Sequence, residues 1–456
     1  MRVIYIDIDS LRPDHLGCYG YTRPTTPNID RLAQQGIRFT QCFTSDSPCM
    51  PSRAATISGT FGIKNGVVTH GERASELQGQ QSTLPYVLRQ HRIPAVAISS
   101  FGRHPSPWFY VGWNEFIDPI DRPELSFQQI AGEEVVDRAI RWLEENRDLT
   151  DFYLYVQLWD PHAVYEAPQS FVDAVRNDNY PARPTPDDVE THQNDMFWHS
   201  AKGMGIASYE DWQRMIDEYD GEIRYVDNQI GRLLAQLEEL EPEGDMVVIL
   251  SADHGEEHGE HGLYVEHWSV YNGTQHIPLI IRDSRRRDAG TVFDGLVYQM
   301  DITSTICHAF GVPAPARWDS KSLLKQRDGV ESVRPYLVCG HGLYTAQRTV
   351  ITTEWKLIRT YHPGMWEIPK LQLFRRADVW EQDNVASIYP EEADRLDGLL
   401  RAWEEEHRVG CDPMMTNVAQ RPHGSVYAKG WSDQFLTDGV HMPVVRSQRK
   451  REPEAR

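Results

Sequence analysis

Short apolar runs alternate with amphipathic stretches along the first two thirds of the chain. The apolar runs have the length and β-branched content of buried strands and lie at 3–8, 95–99, 152–158 and 246–251. Helical periodicity occupies the segments between and around them, at 28–35, 52–58, 84–90, 132–146 and 209–240. This alternation predicts an α/β fold with a large, mostly parallel sheet sandwiched by helices.

Two sections interrupt the alternation. Residues 163–207 are rich in Pro, Asp and Asn and predict a long surface insertion, or lid. Beyond the first 340 residues, short alternating strands at 348–352, 356–360 and 371–374 precede a helix at 391–407. We therefore predict a catalytic domain over 1–340, a small α+β C-terminal subdomain over 341–446 and a disordered charged tail over 447–456.

Charge and composition exclude several classes of partner. The formal net charge of −21 would repel a nucleic-acid backbone, so no nucleic acid is expected as a partner. No run of about 18 apolar residues occurs, so no membrane span is expected. The start lacks the basic and apolar regions of a signal peptide, and the cysteines show no CxxC spacing. These features together predict a cytoplasmic protein with reduced thiols.

Chemically reactive side chains follow the predicted strands. Asp9 comes after the first strand, His162 after the third, and Asp253 with His254 after the fourth. In open α/β sheets, ligands bind beyond the carboxyl ends of the strands. The positions of these side chains therefore predict one common site.

The most informative segment is SPCMPSR at 47–53, followed by AATISG. It resembles the C-x-P-S-R signature of type I sulfatases. Four further segments are similar to sulfatase sequences and occur in the family order: DSLRPDHLGCYGY, TPNIDRLAQQGIRFTQCF, YDGEIRYVDNQIGRLL and SADHGEEHGEHGLY. The resemblance covers residues 1–310 and implies an alkaline-phosphatase-like fold.

The resemblance implies that Cys49 is the nucleophile after oxidation to formylglycine, with a formylglycine-generating enzyme as the partner in maturation. Pro51 and Ser52 place Cys49 just before a helix N-terminus, where amide dipoles favour a thiolate or an alkoxide. Arg53, with its planar fork, is expected to pair with that oxyanion or with a substrate oxygen. The implied mechanism is in-line attack on sulfur by the hydrated aldehyde, followed by collapse that expels sulfate.

By resemblance, Asp9, Asp253, His254 and the oxygen derived from Cys49 bind one divalent metal ion. Calcium and manganese are both open, and zinc or iron as well, because an imidazole ligand shifts preference away from calcium. The same set is similar to that of the phosphonate monoester hydrolases. Asp7 lies on the same side of the strand as Asp9 and is expected to support the site rather than bind the ion.

The remaining site residues are also implied by the family pattern. His162, in Asp-Pro-His, is expected to protonate the leaving oxygen. His104 lies at the family's K-x-H segment and is expected to be a catalytic residue, with Arg103 in place of the missing Lys. His70 occupies a position that reaches the substrate in relatives.

One segment departs from the family. Glu266 stands where many sulfatases have a sulfate-binding Lys, so it either points away or binds a cationic part of the substrate. His267 would then supply the missing positive charge. The neighbouring His258 and His261 are interpreted as solvated loop, with a second metal site as the alternative.

The leading function is hydrolysis of a small anionic sulfate ester, which makes the chain a sulfuric ester hydrolase. The nearest alternative is a phosphonate monoester or phosphodiester hydrolase. A phosphotransferase is disfavoured by Cys49, and a non-catalytic anion- or metal-binding protein is the remaining alternative. Sugar, aryl and choline-like sulfates all stay open, with Trp108, Tyr110 and Trp198 as candidates for stacking on a ring.

Overall fold

The computed structural model describes residues 1–420, apart from 72–75, 105, 123, 126–128, 195–197, 241–244, 286–288 and 365–366. At 199, 200, 203 and 266 it describes the backbone alone. The predicted tail at 447–456 lies outside the described residues. No helix in the described part of the chain is both long enough and apolar enough to cross a membrane.

The strands, in chain order, are β1 (Arg2–Ile8), β2 (Ile37–Phe39), β3 (Cys42–Phe43), β4 (Asp46–Ser47), β5 (Ala95–Ile98), β6 (Glu115–Ile117), β7 (Phe152–Leu158), β8 (Met246–Ala252), β9 (Glu257–His258), β10 (Tyr264–Glu266), β11 (Leu279–Asp283), β12 (Thr291–Phe293), β13 (Val297–Tyr298), β14 (Leu337–His341), β15 (Ala346–Ile351), β16 (Trp355–His362) and β17 (Leu371–Arg375). The four strands predicted in the first two thirds are β1, β5, β7 and β8.

The α-helices are α1 (Pro27–Gln35), α2 (Cys49–Ser58), α3 (Gly62–Asn65), α4 (Leu84–Gln90), α5 (Gly132–Glu145), α6 (Gln169–Val175), α7 (Pro186–His192), α8 (Trp198–Gly203), α9 (Tyr209–Leu240), α10 (Asn272–Gln275), α11 (Asp301–Ala309), α12 (Leu323–Arg327) and α13 (Pro390–His407). Three of them, α6 to α8, lie in the stretch predicted as an insertion. Helix α9 packs against α1, α5 and α6, while α2 packs against α4 and α11.

The main sheet has eight strands in the order β12-β2-β11-β8-β1-β7-β5-β6. Among these described strands only β11 runs against the others, since it pairs antiparallel with both β8 and β2. The predicted α/β class with a mostly parallel sheet is therefore confirmed. Strand β1 lies between β7 and β8 in continuous register, with Ile8 opposite Leu158 and Ala252. The three carboxyl ends are thus level, and the residues that follow them meet above one edge of the sheet.

A second sheet of five strands, ordered β17-β16-β15-β14-β4, contains the predicted C-terminal strands. Its edge strand β4 comes from the N-terminal part of the chain and pairs parallel with β14, Ser47 lying opposite His341. Because β4 ends two residues before Cys49, the C-terminal sheet holds the segment that carries Cys49, the predicted nucleophile. The sequence did not indicate this connection.

Asp46 of β4 is buried, and its Oδ2 accepts a hydrogen bond from the backbone amide of Gly62 at 2.9 Å. Burial raises the pKa of Asp46 to about 6, and Gly62 offsets this only in part. The folded chain therefore holds the proton more tightly than the unfolded chain, so ionisation destabilises it progressively between about pH 4 and pH 6.

Asp46→Asn should therefore raise the melting temperature near neutral pH. The free energy of unfolding should increase by an amount on the order of 1–3 kcal/mol there, and this increase should fade towards about pH 4. Thermal unfolding followed at both pH values checks this, with the solvent-exposed Asp148→Asn as the control. Destabilisation at neutral pH would show that the charge of Asp46 supports the fold.

Candidate active site

Cys49 is the first residue of helix α2 and is 2% exposed. The helix thus begins earlier than the predicted 52–58, and the amide of Ser52 already bonds the carbonyl of Pro48. The Sγ atom of Cys49 lies 3.1 Å from Nε2 of His254. Cys49 was predicted just before the helix and instead lies in its first turn, beside a histidine that follows β8.

Three carboxylates surround one guanidinium beneath Cys49. Arg53 donates from Nε to Asp7 at 3.0 Å and from Nη1 to both Asp9 at 2.9 Å and Asp253 at 2.7 Å. All four side chains are buried. Tyr155 also donates to Asp7, so Asp7 stands behind the site while Asp9 and Asp253 face it. Arg53 thereby fixes the positions of both candidate metal ligands.

His254 presents an unprotonated nitrogen to the same place. Its Nδ1 bonds the carbonyl of Gly255 at 2.8 Å, and a carbonyl can only accept, so Nδ1 carries the hydrogen. Burial lowers the pKa of His254 to about 4, which keeps the ring neutral. Its Nε2 lies 3.5 Å from Asp253 and 3.8 Å from Asp9. The tautomer is thus the one that a metal ligand needs.

The residues present fit a divalent cation. Ligand atoms of Asp9, Cys49, Asp253 and His254 all lie within 4.8 Å of one another. In their ionised forms the three buried carboxylates carry two more negative charges than the one guanidinium that they share can compensate. Burial raises the pKa of Asp253 well above its usual range, with Arg53 opposing the rise. A divalent ion would restore neutrality, and the imidazole favours manganese, zinc or iron over calcium.

The pKa of the Cys49 thiol differs from the expectation based on the helix dipole. Burial raises the pKa of Cys49 well above its ordinary value, and the nearby Asp9 and Asp253 raise it further. The predicted stabilised thiolate is therefore wrong for the chain by itself, because burial and two carboxylates outweigh one helix N-terminus. An unconverted Cys49 is a neutral thiol here.

Several histidines line the space around Cys49. The backbone amide of Met50 donates to Nε2 of His70 at 3.4 Å, and the rings of His70 and His104 lie 5.2 Å apart. On the other side, the His267 ring lies 4.4 Å from that of His254 and 5.4 Å from that of His162. The structure thus brings together the three histidines that the family pattern pointed to, His70, His104 and His162, and also His267 from the segment that departs from the family.

A further histidine comes from the C-terminal sheet. Nδ1 of His341 lies 3.0 Å from the hydroxyl of Ser47, and burial, followed by the charge of His254, lowers the pKa of His341 to about 3. Its Nε2 is buried and has no hydrogen-bond partner among the described residues. His341 was not predicted, because nothing in Gly340-His341-Gly342 indicates that Ser47, 294 residues earlier in the chain, lies beside it.

The family model described as Sulfatase matches residues 2–312, more than half of the chain. The chain belongs to the sulfatase family. The predictions of this family, of its fold and of a sulfuric ester hydrolase are thereby confirmed.

Known proteins similar to this sulfatase agree in fold. N-acetylglucosamine-6-O-sulfatase of Bacteroides thetaiotaomicron is 23% identical, over 89% of this chain and 87% of that protein. A protein solved with its substrate D-glucosamine-2-N,6-O-disulfate is 20% identical and superposes with a TM-score of 0.74, over 90% of this chain and 99% of the other. The phosphonate monoester hydrolase of Silicibacter pomeroyi is 18% identical, with a TM-score of 0.70 over 93% and 98%.

The structure changes the expected roles of two positively charged side chains of this sulfatase, Arg103 and Arg53. Arg103 does not replace the family's Lys, because its guanidinium pairs with Asp118 and with the carbonyl of Leu125. Arg53, expected to pair with an oxyanion, uses Nε and Nη1 to bind carboxylates. Its Nη2 is the one guanidinium nitrogen without a partner among the described residues, so Nη2 is what remains for a substrate oxygen.

The aromatic candidates for stacking are mostly packing residues. Trp108 is 1% exposed and Trp198 is 4% exposed, the latter packing edge-on against Tyr264. Neither presents a ring face to solvent, so both pack within the protein and neither is placed to stack on a ligand. Tyr110 is half-exposed, but its hydroxyl donates to the carbonyl of Gly102.

The run from Glu256 to His261 was predicted to be solvated and is instead mostly buried. His258 lies 3.1 Å from the hydroxyl of Tyr165, and His261 stacks on Tyr271 with 3.6 Å between ring centres. Glu260 pairs with Arg12 at 2.7 Å. The charged composition misled because specific partners compensate the burial. The side chain of Glu266 lies outside the described residues, so its predicted role remains a prediction.

Proposed function

We propose that this sulfatase hydrolyses a sulfate monoester of a small sugar, with a nucleophile derived from Cys49 beside one divalent metal ion. The observation that carries the proposal is the meeting of Cys49 with Asp9, Asp253 and His254 within 4.8 Å, at the N-terminal turn of α2. A motif that is read for conversion to formylglycine thus lies directly on a buried set of metal-ligand atoms.

Asp9, Asp253 and His254 would hold the ion, and Cys49 would carry the formylglycine. The ion would supply Lewis acidity, and the formylglycine a hydroxyl nucleophile that breaks its own C–O bond to release sulfate. Arg53 contributes by holding Asp9 and Asp253 in place through one nitrogen, Nη1. Because these groups are buried, water does not compete for their positions.

His162 is the candidate proton donor to the leaving oxygen. The ring is stacked on Trp159 with 4.5 Å between centres, and its Nδ1 lies 2.8 Å from the carbonyl of Ala163. Nε2 is therefore the nitrogen that faces the reaction. The side chain is only partly buried, so it can regain a proton from solvent after each turnover.

His70, His104, His267 and His341 are proposed to bind the sulfate oxygens. In the free chain burial lowers the pKa of His267 and of His70 well below the usual value, so both rings are neutral hydrogen-bond donors before the substrate binds. The positive charge expected of His267 from the sequence is therefore absent in the free chain, because the ring is buried. Neutral donors suit a sulfate monoester, because its sulfate group carries a single negative charge. The sugar part of the proposal is supported by the sulfated glucosamine bound in a similar solved structure and by the name N-acetylglucosamine-6-O-sulfatase of a similar sequence.

Hydrolysis of a phosphonate monoester is the second candidate. It is favoured by the presence of an imidazole in the ligand set and by the fold shared with a phosphonate monoester hydrolase. It would place the same residues around phosphorus instead of sulfur.

The test compares kcat/KM for an aryl sulfate and an aryl phosphonate monoester, on protein co-expressed with a formylglycine-generating enzyme. We expect the sulfate to be favoured by roughly 100-fold or more, about 2.7 kcal/mol of transition-state discrimination. A panel of sugar sulfates, each with one sulfate ester at a different hydroxyl of the sugar, then identifies the ester position that the enzyme prefers. A preference for the phosphonate would replace the first candidate by the second.

A further inference from the structure

Three side chains beside the nucleophile form a second group of metal-ligand atoms. His162 follows β7, Glu256 lies between β8 and β9, and His267 follows β10. One ligand atom from each lies within 4.8 Å of the other two. This group shares no residue with the set of Asp9, Cys49, Asp253 and His254, although a ligand atom of His267 also lies within 4.8 Å of ligand atoms of Cys49 and His254.

Two of these ligand atoms face each other without a bond. Oε1 of Glu256 and Nδ1 of His267 are 4.0 Å apart, and neither has a hydrogen-bond partner among the described residues. The side chains are 0% and 8% exposed. A separation of 4.0 Å is too long for a hydrogen bond but within the span of two metal–ligand bonds of about 2.0–2.2 Å. A buried carboxylate oxygen left unpaired is costly, so a cation in the gap would stabilise it.

Outer contacts orient the ligands as they do around bound metals. Tyr165 donates its hydroxyl hydrogen to Oε2 of Glu256, which leaves Oε1 free to face the gap. The carbonyl of Ala163 fixes Nδ1 of His162 as the protonated nitrogen, so its Nε2 has a lone pair to give. Such outer partners fix ring orientation and tautomer.

We infer that His162, Glu256 and His267 bind a second divalent ion of the zinc class, next to the first. Two imidazoles and one carboxylate, with a position left open, are a set that zinc prefers in proteins. The ion occupies Nε2 of His162, the nitrogen proposed to protonate the leaving oxygen. Excess zinc therefore inhibits the enzyme. This inhibition rests on the proposed function, whereas the binding of the second ion does not rest on it.

The test counts ions per chain on the full-length protein carrying Cys49→Ala, so that no thiolate or formylglycine contributes a ligand. Cobalt serves as the probe, with stoichiometry from elemental analysis and coordination from the visible absorption of the bound ion. We expect two cobalt ions in this parent and one after adding Glu256→Gln. Adding Asp253→Asn to the parent instead should also leave one ion, now in the second site. The visible absorption of that ion should be the part of the spectrum that Glu256→Gln removes.

Glu257→Gln is the matched control. Glu257 is the adjacent residue, is equally buried and bonds Thr274 at 2.8 Å, and belongs to no such ligand group within the described part of the chain. It should leave both ions in place. Tyr165→Phe should lower the affinity for the second ion by roughly 10–100-fold, as expected when a metal ligand loses its hydrogen-bond partner. Circular dichroism verifies that each variant is folded, and His267→Gln replaces Glu256→Gln if the latter is not.

One ion in the parent, or two ions that survive both Glu256→Gln and His267→Gln, would overturn the second site.

On the converted enzyme, excess zinc should lower kcat/KM for the aryl sulfate by about 10-fold or more, and the Glu256→Gln enzyme should lose this response relative to its own zinc-free rate. If two ions bind as expected but no ester is turned over, the proposed function fails while the site stands. If the ester is turned over and the parent binds a single ion, the second site fails while the proposed function stands.

Discussion

Replacing Cys49 by Ala should lower kcat/KM for a sulfate ester by at least about 10⁴-fold, the scale expected when an enzyme loses its nucleophile. The side chain is 2% exposed and lies against His254, where its replacement by Ala leaves the metal-ligand atoms without a nucleophile beside them. Loss of the small Sγ atom costs little packing. The measurement is the initial rate on an aryl sulfate with enzyme from cells that contain the formylglycine-generating enzyme.

Cys307→Ala is the matched control for this variant. Cys307 is also a buried free cysteine, and it lies in helix α11 within the hydrophobic core. It should cost about 1 kcal/mol of stability and leave kcat/KM unchanged. Residual turnover in folded Cys49→Ala, above that of a mock preparation, would mean that Cys49 is not the nucleophile.

Asp253→Asn should remove the first metal ion and lower kcat/KM by about 10³-fold or more, since the Lewis-acid contribution of a metal is several kcal/mol. Oδ2 of Asp253 lies 2.7 Å from Arg53 and 3.5 Å from His254, so the carboxylate would be shared between the guanidinium and the ion. The amide keeps the shape and removes the charge. Metal content by elemental analysis and kcat/KM should fall together.

Asp227→Asn provides the comparison for this loss of charge. Asp227 is buried in helix α9 and accepts hydrogen bonds from the backbone amides of Asn28 and Ile29, away from the candidate metal ligands. Its substitution should leave metal content at the parent value. Full metal content in Asp253→Asn would show that the ion binds elsewhere.

The part of the fold predicted best is the part governed by local pattern. Helix α9 spans Tyr209–Leu240, as its periodicity predicted, because one apolar stripe continues without a break for its whole length. The meeting of Asp9 with Asp253 also followed from the sequence, since adjacent parallel strands end at the same edge of the sheet.

What the sequence could not reveal depends on distant partners. Strand β4 is two polar residues long and exists only because β14 pairs with it, so neither its position nor the approach of His341 has a local signal. The burial of Glu256 and Glu260 was likewise missed. Charged residues are rarely buried unless they are paired, and their partners, Tyr165 and Arg12, are far away in the sequence.

In the proposed function, turnover requires the converted form of Cys49. The most direct measurement compares kcat for the aryl sulfate across preparations with graded amounts of formylglycine-generating enzyme, each with the converted fraction of the Cys49 peptide measured by mass spectrometry. We expect kcat to rise in proportion to the converted fraction, on a line through the origin. Turnover that is independent of conversion, or that persists where the peptide contains only the thiol, would contradict the claim.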